Sequence, residues 1–362
     1  MKRSAFFFAA LAVAFSALSG RAQAPPGPIT PPANVPEQPR PTVRVKVDLV
    51  STPVTVRDRS GDLVLHLEQK DFRLLEDGVE QKIEHFDLGA GPLSVVLVVE
   101  NSNRIAALRP AVRSTGILLS QKLMPGDVEA AVLSYDDSPT LQQDFTTSGD
   151  AVERTMSKMP PGIQGAVLYD ALSRAVAMLS RRPKERRRIV LAIAEPVDSG
   201  SETKLGEVLR EAELQNVTIY SVGLSTTAAE LRNPPREPAP SPYPPGSVPG
   251  PPGIPQTPST TAAENPSADL GAVGVWILQH IKGVAKDNAL EMAATATGGR
   301  NISAFKDATV AKALSQIADE LHAQYTLAYR PTEGNKPGFH RIEVEVGQPD
   351  LRVRSRPGYY LE

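Results

Sequence analysis

The sequence predicts an α/β protein. Its core is a doubly wound, Rossmann-like sheet with helices on both faces. A small antiparallel β-module, built from strands at the two ends of the chain, accompanies it. Three observations predict this. Residues 93–99 are apolar except for Ser94 and rich in Val, the pattern of a central parallel strand buried on both faces. Beyond them, apolar runs alternate with stretches of helical spacing, as βαβ units do. Before them, and again near the C-terminus, short runs alternate apolar and polar residues like half-buried strands.

Composition bounds the possibilities. A chain of 362 residues, 41% hydrophobic and 22% charged, can build two domains of ordinary size. A net charge of −2 is too balanced for a nucleic-acid partner or an anionic membrane surface. With no cysteine, disulfides, thiol catalysis and cysteine metal sites are excluded. Lys2 and Arg3, the apolar run 5–18 and Ala22-Gln23-Ala24 form a signal peptide over 1–24. Its cleavage leaves no integral membrane segment and places the protein in the periplasm or outside the cell. Residues 25–42 then form a Pro-rich linker, with 8 prolines between Pro25 and Pro41.

The N-terminal β-module spans 43–89. Val43, Val45, Val47 and Leu49 alternate with polar residues, and 54–56 continue as strand after Pro53. A turn at 59–62 leads into a strand over 63–67. Strands over 72–76 and 79–86 are joined across Asp77-Gly78, a strong hairpin signal. The main α/β domain covers 90–330. Leu108, Val112, Leu119 and Leu123 mark a first helix, and 129–135 a strand with an edge neighbour at 140–145. Leu168, Leu172, Val176 and Leu179 mark a second helix, and 189–193 a buried strand. A helix over 205–214 and a strand over 217–222 follow. Residues 233–267 hold 13 prolines and form an insertion rather than core. Helical spacing over 273–296 stops at Gly298-Gly299, as helices do. A strand over 302–305, a helix over 310–322 and a strand over 325–329 complete the domain. Residues 331–362 supply C-terminal strands expected to pack on the N-terminal module, because each end alone leaves open edges.

Several motifs together carry a resemblance. Residues 72–78 (FRLLEDG), Gln81-Lys82-Ile83, Leu168-Tyr169-Asp170-Ala171, Asp198-Ser199-Gly200-Ser201, Thr297-Gly298-Gly299 and the terminal Gly358-Tyr359-Tyr360 occur in a shared order. So does a hydrophobic strand that ends in Glu100-Asn101-Ser102-Asn103-Arg104. In this the chain resembles the exported von Willebrand factor A-related proteins typical of Acidobacteria, from about Val43 to the C-terminus. The resemblance implies the von Willebrand factor A fold and, at the carboxyl ends of its strands, a metal-ion-dependent adhesion site. That family pattern is Asp-x-Ser-x-Ser in the first loop, Thr in the second and Asp in the third. Here those positions carry Glu100, Ser102 and Arg104, then Ala166, then Glu195. Two oxygen ligands are missing and a cation has entered, so the pattern implies a degenerate site without metal. Arg104 is expected to pair with Glu100 or Glu195 in place of an ion.

Other chemistry has little support. The five histidines lack zinc spacing, and neither a Gly-x-Ser-x-Gly elbow nor a phosphate loop occurs. The basic run 181–188 (RRPKERRR) reads as a solvated loop. Asp170 and Asp198 read as caps. No catalytic residue, metal or cofactor is expected. The expected function is a non-enzymatic, adhesion-type module that binds an unidentified protein through Glu100, Asn101, Ser102, Arg104, Ala166, Glu195 and Asp198 at the sheet's carboxyl edge. A structural role in the cell envelope is the alternative. A hydrolase using Glu100 and Glu195 as acid and base is a third, less supported reading.

Overall fold

The computed structural model describes residues 49–89, 91–225, 288–331 and 338–361. The expected signal peptide, the linker, the strand residues 43–48, the insertion 233–267 and the first part of the helix over 273–296 lie outside the described residues. All described residues fall in one compact unit, Val47–Glu362.

The centre is strand β5 (Leu93–Glu100), all eight residues of which are buried. It pairs in parallel with β6 (Val128–Tyr135) and with β8 (Arg187–Ala194). β9 (Val217–Leu224) and β10 (Asn301–Ala304) extend the sheet in parallel beyond β8. β7 (Pro139–Thr146) closes the other edge antiparallel to β6. The resulting order, β10-β9-β8-β5-β6-β7, is that of a doubly wound sheet. Alternation along β5 divides its side chains between two layers. Val95, Leu97 and Val99 pack with α1 (Arg109–Leu118), α2 (Gly149–Lys158) and α6 (Asp307–His322). Val96 and Val98 pack on the opposite face with α3 (Leu168–Ser180), α4 (Leu205–Leu214) and α5 (Ala289–Ala296). Ser94 is polar within this apolar strand because its hydroxyl is spoken for: it donates to Glu129 at 2.6 Å and accepts from Arg186 Nε at 2.9 Å.

Two four-stranded sheets stand beside this domain. One has the order β13 (Arg352–Ser355), β1 (Val50–Arg57), β11 (Tyr325–Tyr329), β4 (Ile83–Leu88). The other has the order β14 (Gly358–Leu361), β12 (Gly338–Val346), β2 (Phe72–Glu76), β3 (Val79–Gln81). Every pairing within them is antiparallel, and each sheet combines strands from both ends of the chain. Their shared core includes Val54, Leu74, Tyr325, Leu327 and Tyr329.

Four local expectations change. Residues 79–86 do not form one strand: the run breaks at Lys82, and its halves join different sheets, β3 beside β2 and β4 beside β11. Such a break lets a strand turn a corner between packed layers. Residues 63–67 form no strand beyond a single bridge from Leu63 to Arg57. A side chain holds them instead, since the Tyr325 hydroxyl donates to Val64 O at 2.9 Å and accepts from Leu67 N–H at 3.1 Å. The basic run is not a solvated loop. Arg182 grips Glu129 through two hydrogen bonds of 2.6 and 2.7 Å, and Arg186 reaches Asp127 and the Leu93 carbonyl. Arg187 and Arg188 open β8 and donate to the carbonyls of Leu321 and Gln215. The run bolts the amino end of the sheet together. Finally, α2 arises where no element was expected.

Candidate functional site

Strands β5 and β8 are neighbours, but the chain leaves them for opposite faces of the sheet. The crevice between their carboxyl ends is therefore the topological switch point, where ligands of open α/β sheets bind. The loops there carry the residues singled out from sequence.

Glu100 ends β5 and is 1% exposed. One carboxylate oxygen accepts from the Ser102 hydroxyl at 2.5 Å, the other from the Glu195 backbone N–H at 2.7 Å. Burial pushes its carboxyl above the usual range. The Ser102 and Glu195 hydrogen bonds and the Arg104 charge oppose this without cancelling it. Arg104 donates from Nε to Glu195 at 3.2 Å, so its partner is Glu195. Glu195 is itself 8% exposed, while the Arg104 side chain retains 35%. Glu100, Ser102, Arg104 and Glu195 thus form one connected network across the first and third loops. Ser102 also accepts from the Arg104 backbone N–H at 3.2 Å, capping the short turn Asn103–Ile105.

The remaining expected residues make contacts within and between the loops. Asn101 holds the first two loops together: its side chain donates to the Pro160 carbonyl and its own carbonyl accepts from Gly162 N–H. Ala166 is fully buried and pairs with Ser199 in an isolated bridge. Asp198 caps α3, accepting from Tyr169 N–H at 3.0 Å and from the Ser201 hydroxyl at 2.6 Å. Asp170, in the first turn of α3, reciprocates by accepting from the Glu202 and Thr203 N–H groups at 3.0 and 2.8 Å. Together the two aspartates fasten the third loop to the helix.

Sequence reasoning missed several contributors. Asn103, Gln164, Gly165 and Ser199 line, together with the expected Arg104, a cleft of 370 Å³. Ile163 and Val197, in the same loops, are 56% and 42% exposed. The second loop lies so close to its neighbours that glycine is required. A Cβ on Gly165, whose φ is +125°, would sit 2.8 Å from Asp137 Cα, and one on Gly162 would sit 2.6 Å from Asn101 O. Tyr135, opposite Glu100 in the register, is 1% exposed, and its hydroxyl has no partner among the described residues. Burial pushes its hydroxyl well up, and the nearby Glu100 charge adds to this. None of these carries a sequence signal, because each acts through where the loops happen to meet.

The donor set does not suit a divalent cation. Such ions need several oxygens converging on one point. Here a methyl group occupies the Ala166 position, the Arg104 guanidinium already lies on Glu195, and both Glu100 oxygens are bound within the protein. Among the described residues no cluster of three His, Asp or Glu side chains could hold a metal.

No protein-family model matches the chain. No curated protein matches it either. Solved structures do. BatB from Bacteroides thetaiotaomicron is 13% identical, with 63% of this chain and 98% of that one covered, at a TM-score of 0.41. The vWF domain of the type V pili tip protein Mfa5 from Porphyromonas gingivalis is 12% identical, covering 64% and 95%, at 0.40. Proximal thread matrix protein 1 from the mussel byssus, with a zinc-occupied MIDAS motif, is 13% identical, covering 68% and 49%, at 0.41. Likeness at these scores carries no argument by itself. The α/β fold, a doubly wound sheet flanked by helices with two antiparallel sheets beside it, stands on its strand order and layers.

Proposed function

We propose that this chain is an exported, non-enzymatic interaction module of the adhesion type, which binds a protein partner through its carboxyl-edge loops without a metal. In this reading the loops are a degenerate metal-ion-dependent adhesion site in which Arg104 supplies the positive charge from within. The observation that carries it is the closed network of Glu100, Ser102, Arg104 and Glu195 at the switch point. A cation is built in there, beside a cleft, and the neighbouring loops carry two exposed aliphatic side chains, Ile163 and Val197. Apolar anchors around a polar centre are what protein interfaces use.

The test is affinity capture from the cell's own envelope extract, with the mature protein and with the double variant Ile163→Glu, Val197→Glu as bait. A discrete partner should be retained by the natural protein in the presence of EDTA and lost by the variant. Release by EDTA, or equal capture by both baits, would overturn the proposal. Co-sedimentation with bulk peptidoglycan, unaffected by the variant, would favour a structural role in the envelope.

A further inference from the structure

A second charged centre lies at the opposite edge of the central sheet, away from the proposed partner-binding loops. It forms where the amino end of β10 meets the end of β1. We infer that the surface where Arg57, Arg300 and Arg354 converge on Glu320 binds a small tetrahedral oxyanion of the phosphate or sulfate class.

Glu320, on α6, is 0% exposed. Arg57 donates to one of its oxygens at 2.8 Å, Arg354 donates to the other, and Arg300 Nη1 stands 3.7 Å away. The Tyr220 hydroxyl at 3.0 Å and the Thr55 hydroxyl at 3.4 Å also donate to this carboxylate. Three guanidinium groups therefore face one carboxylate, and among the described residues two positive charges are left without a counter-charge at this point. Arg187 adds to the excess from β8. It is close enough to act on Tyr220, and it donates to Leu321 O and Gln324, with the Asp87 charge nearby.

The three arginines are not equivalent. Arg57 also donates to Gly61 O, and Arg354 to Gly299 O and Thr55, so both are held in place. The Arg300 side chain makes no hydrogen bond among the described residues. It is pushed toward its neutral form by burial, and the Arg57 and Arg354 charges work in the same direction against the pull of Glu320. A cation held among like charges, with its donors unspent, is the arrangement an anion relieves. The site is also reachable. The side chains of Arg57, Arg354 and Arg300 are 24%, 29% and 35% exposed. Arg354 and Gly299 border a cleft of 410 Å³, which also includes Thr295 and Ser355. The one carboxylate lining that cleft, Glu343, is paired with Arg341 at 3.1 Å. Guanidinium forks match tetrahedral oxyanions through paired N–H donors, which an ammonium cannot do.

The experiment uses the mature chain and measures its melting temperature and calorimetric binding with inorganic phosphate and with sulfate, against chloride at equal ionic strength. The expected result is a saturable rise in melting temperature with a midpoint at millimolar concentration or below. Arg300→Gln should melt in chloride at least as high as the natural protein, because repulsion is relieved, and should bind phosphate roughly fivefold or more weakly. Arg300→Lys, which keeps the charge without the fork, should fall between the two. No rise, or a rise that grows linearly with salt and is equal in Arg300→Gln, would be general exclusion of these salts from the surface and would overturn the inference.

Discussion

Glu320 allows the packing of the antiparallel sheets on the α/β domain to be tested through one atom. In Glu320→Gln the shape is kept and the charge removed. The natural carboxylate accepts from Arg57 and Arg354, and from Thr55 and Tyr220, which joins β1 and β13 to α6 and β9. Two charge-assisted hydrogen bonds, each worth roughly 1.5–3 kcal/mol, are weakened together, so the loss is roughly 3–5 kcal/mol. In a cooperative unit of about 300 residues, an unfolding entropy of roughly 2 cal/mol/K per residue converts this to a fall of about 5–8 °C in melting temperature. The pH dependence gives a second reading. Burial raises the Glu320 carboxyl, but Arg354, Arg57 and Tyr220 outweigh it, so its value lies below the ordinary 4.5. A depressed carboxyl stabilises the fold above its unfolded value, and that stabilisation is lost as pH falls through the folded value. The deficit of Glu320→Gln should therefore be full at neutral pH and shrink below about pH 4. Scanning calorimetry across this range measures both. A variant melting within about 1 °C of the natural protein at neutral pH would refute the reasoning, because the arginines would then not depend on this charge.

Two further outcomes are expected. Millimolar Mg²⁺, Mn²⁺ or Ca²⁺ should not raise the melting temperature of the natural protein. A metal-dependent rise should appear once Glu100→Asp, Arg104→Ser, Ala166→Thr and Glu195→Asp are combined, and a rise already present in the natural protein would argue against a built-in cation. Glu213, fully buried on α4, lies 2.9 Å from Arg356, and burial raises its carboxyl from 4.5 to about 6 despite that partner. A raised carboxyl contributes stability that is complete below its unfolded value and disappears as pH rises through the folded one. Stability should therefore decline between about pH 4.5 and 6 from this group, and Glu213→Gln should flatten that segment of the stability curve. An unchanged slope in urea titrations would show that Glu213 does not titrate there.

The sequence by itself determined the elements whose burial is continuous or strictly periodic. β5 was legible because every residue from 93 to 99 suits a two-faced interior, and α3 because Leu168, Leu172, Val176 and Leu179 repeat at one helical face. The chemistry of the loops was partly legible too, since Arg104 brings its charge to the loop wherever the loop folds. Only the tertiary structure decided the partners. It chose Glu195 over Glu100 for Arg104, because the Ser102 hydroxyl and the Glu195 N–H already hold Glu100. It split residues 79–86 between two sheets and turned a basic run into a set of bolts at the amino edge. It also brought Arg57, Arg300, Glu320 and Arg354 together from distant parts of the chain. Local patterns report whether a residue will be buried, through the free energy of transferring its side chain from water. Which charge meets which depends on contacts closed over long loops, and no periodicity along the chain encodes those.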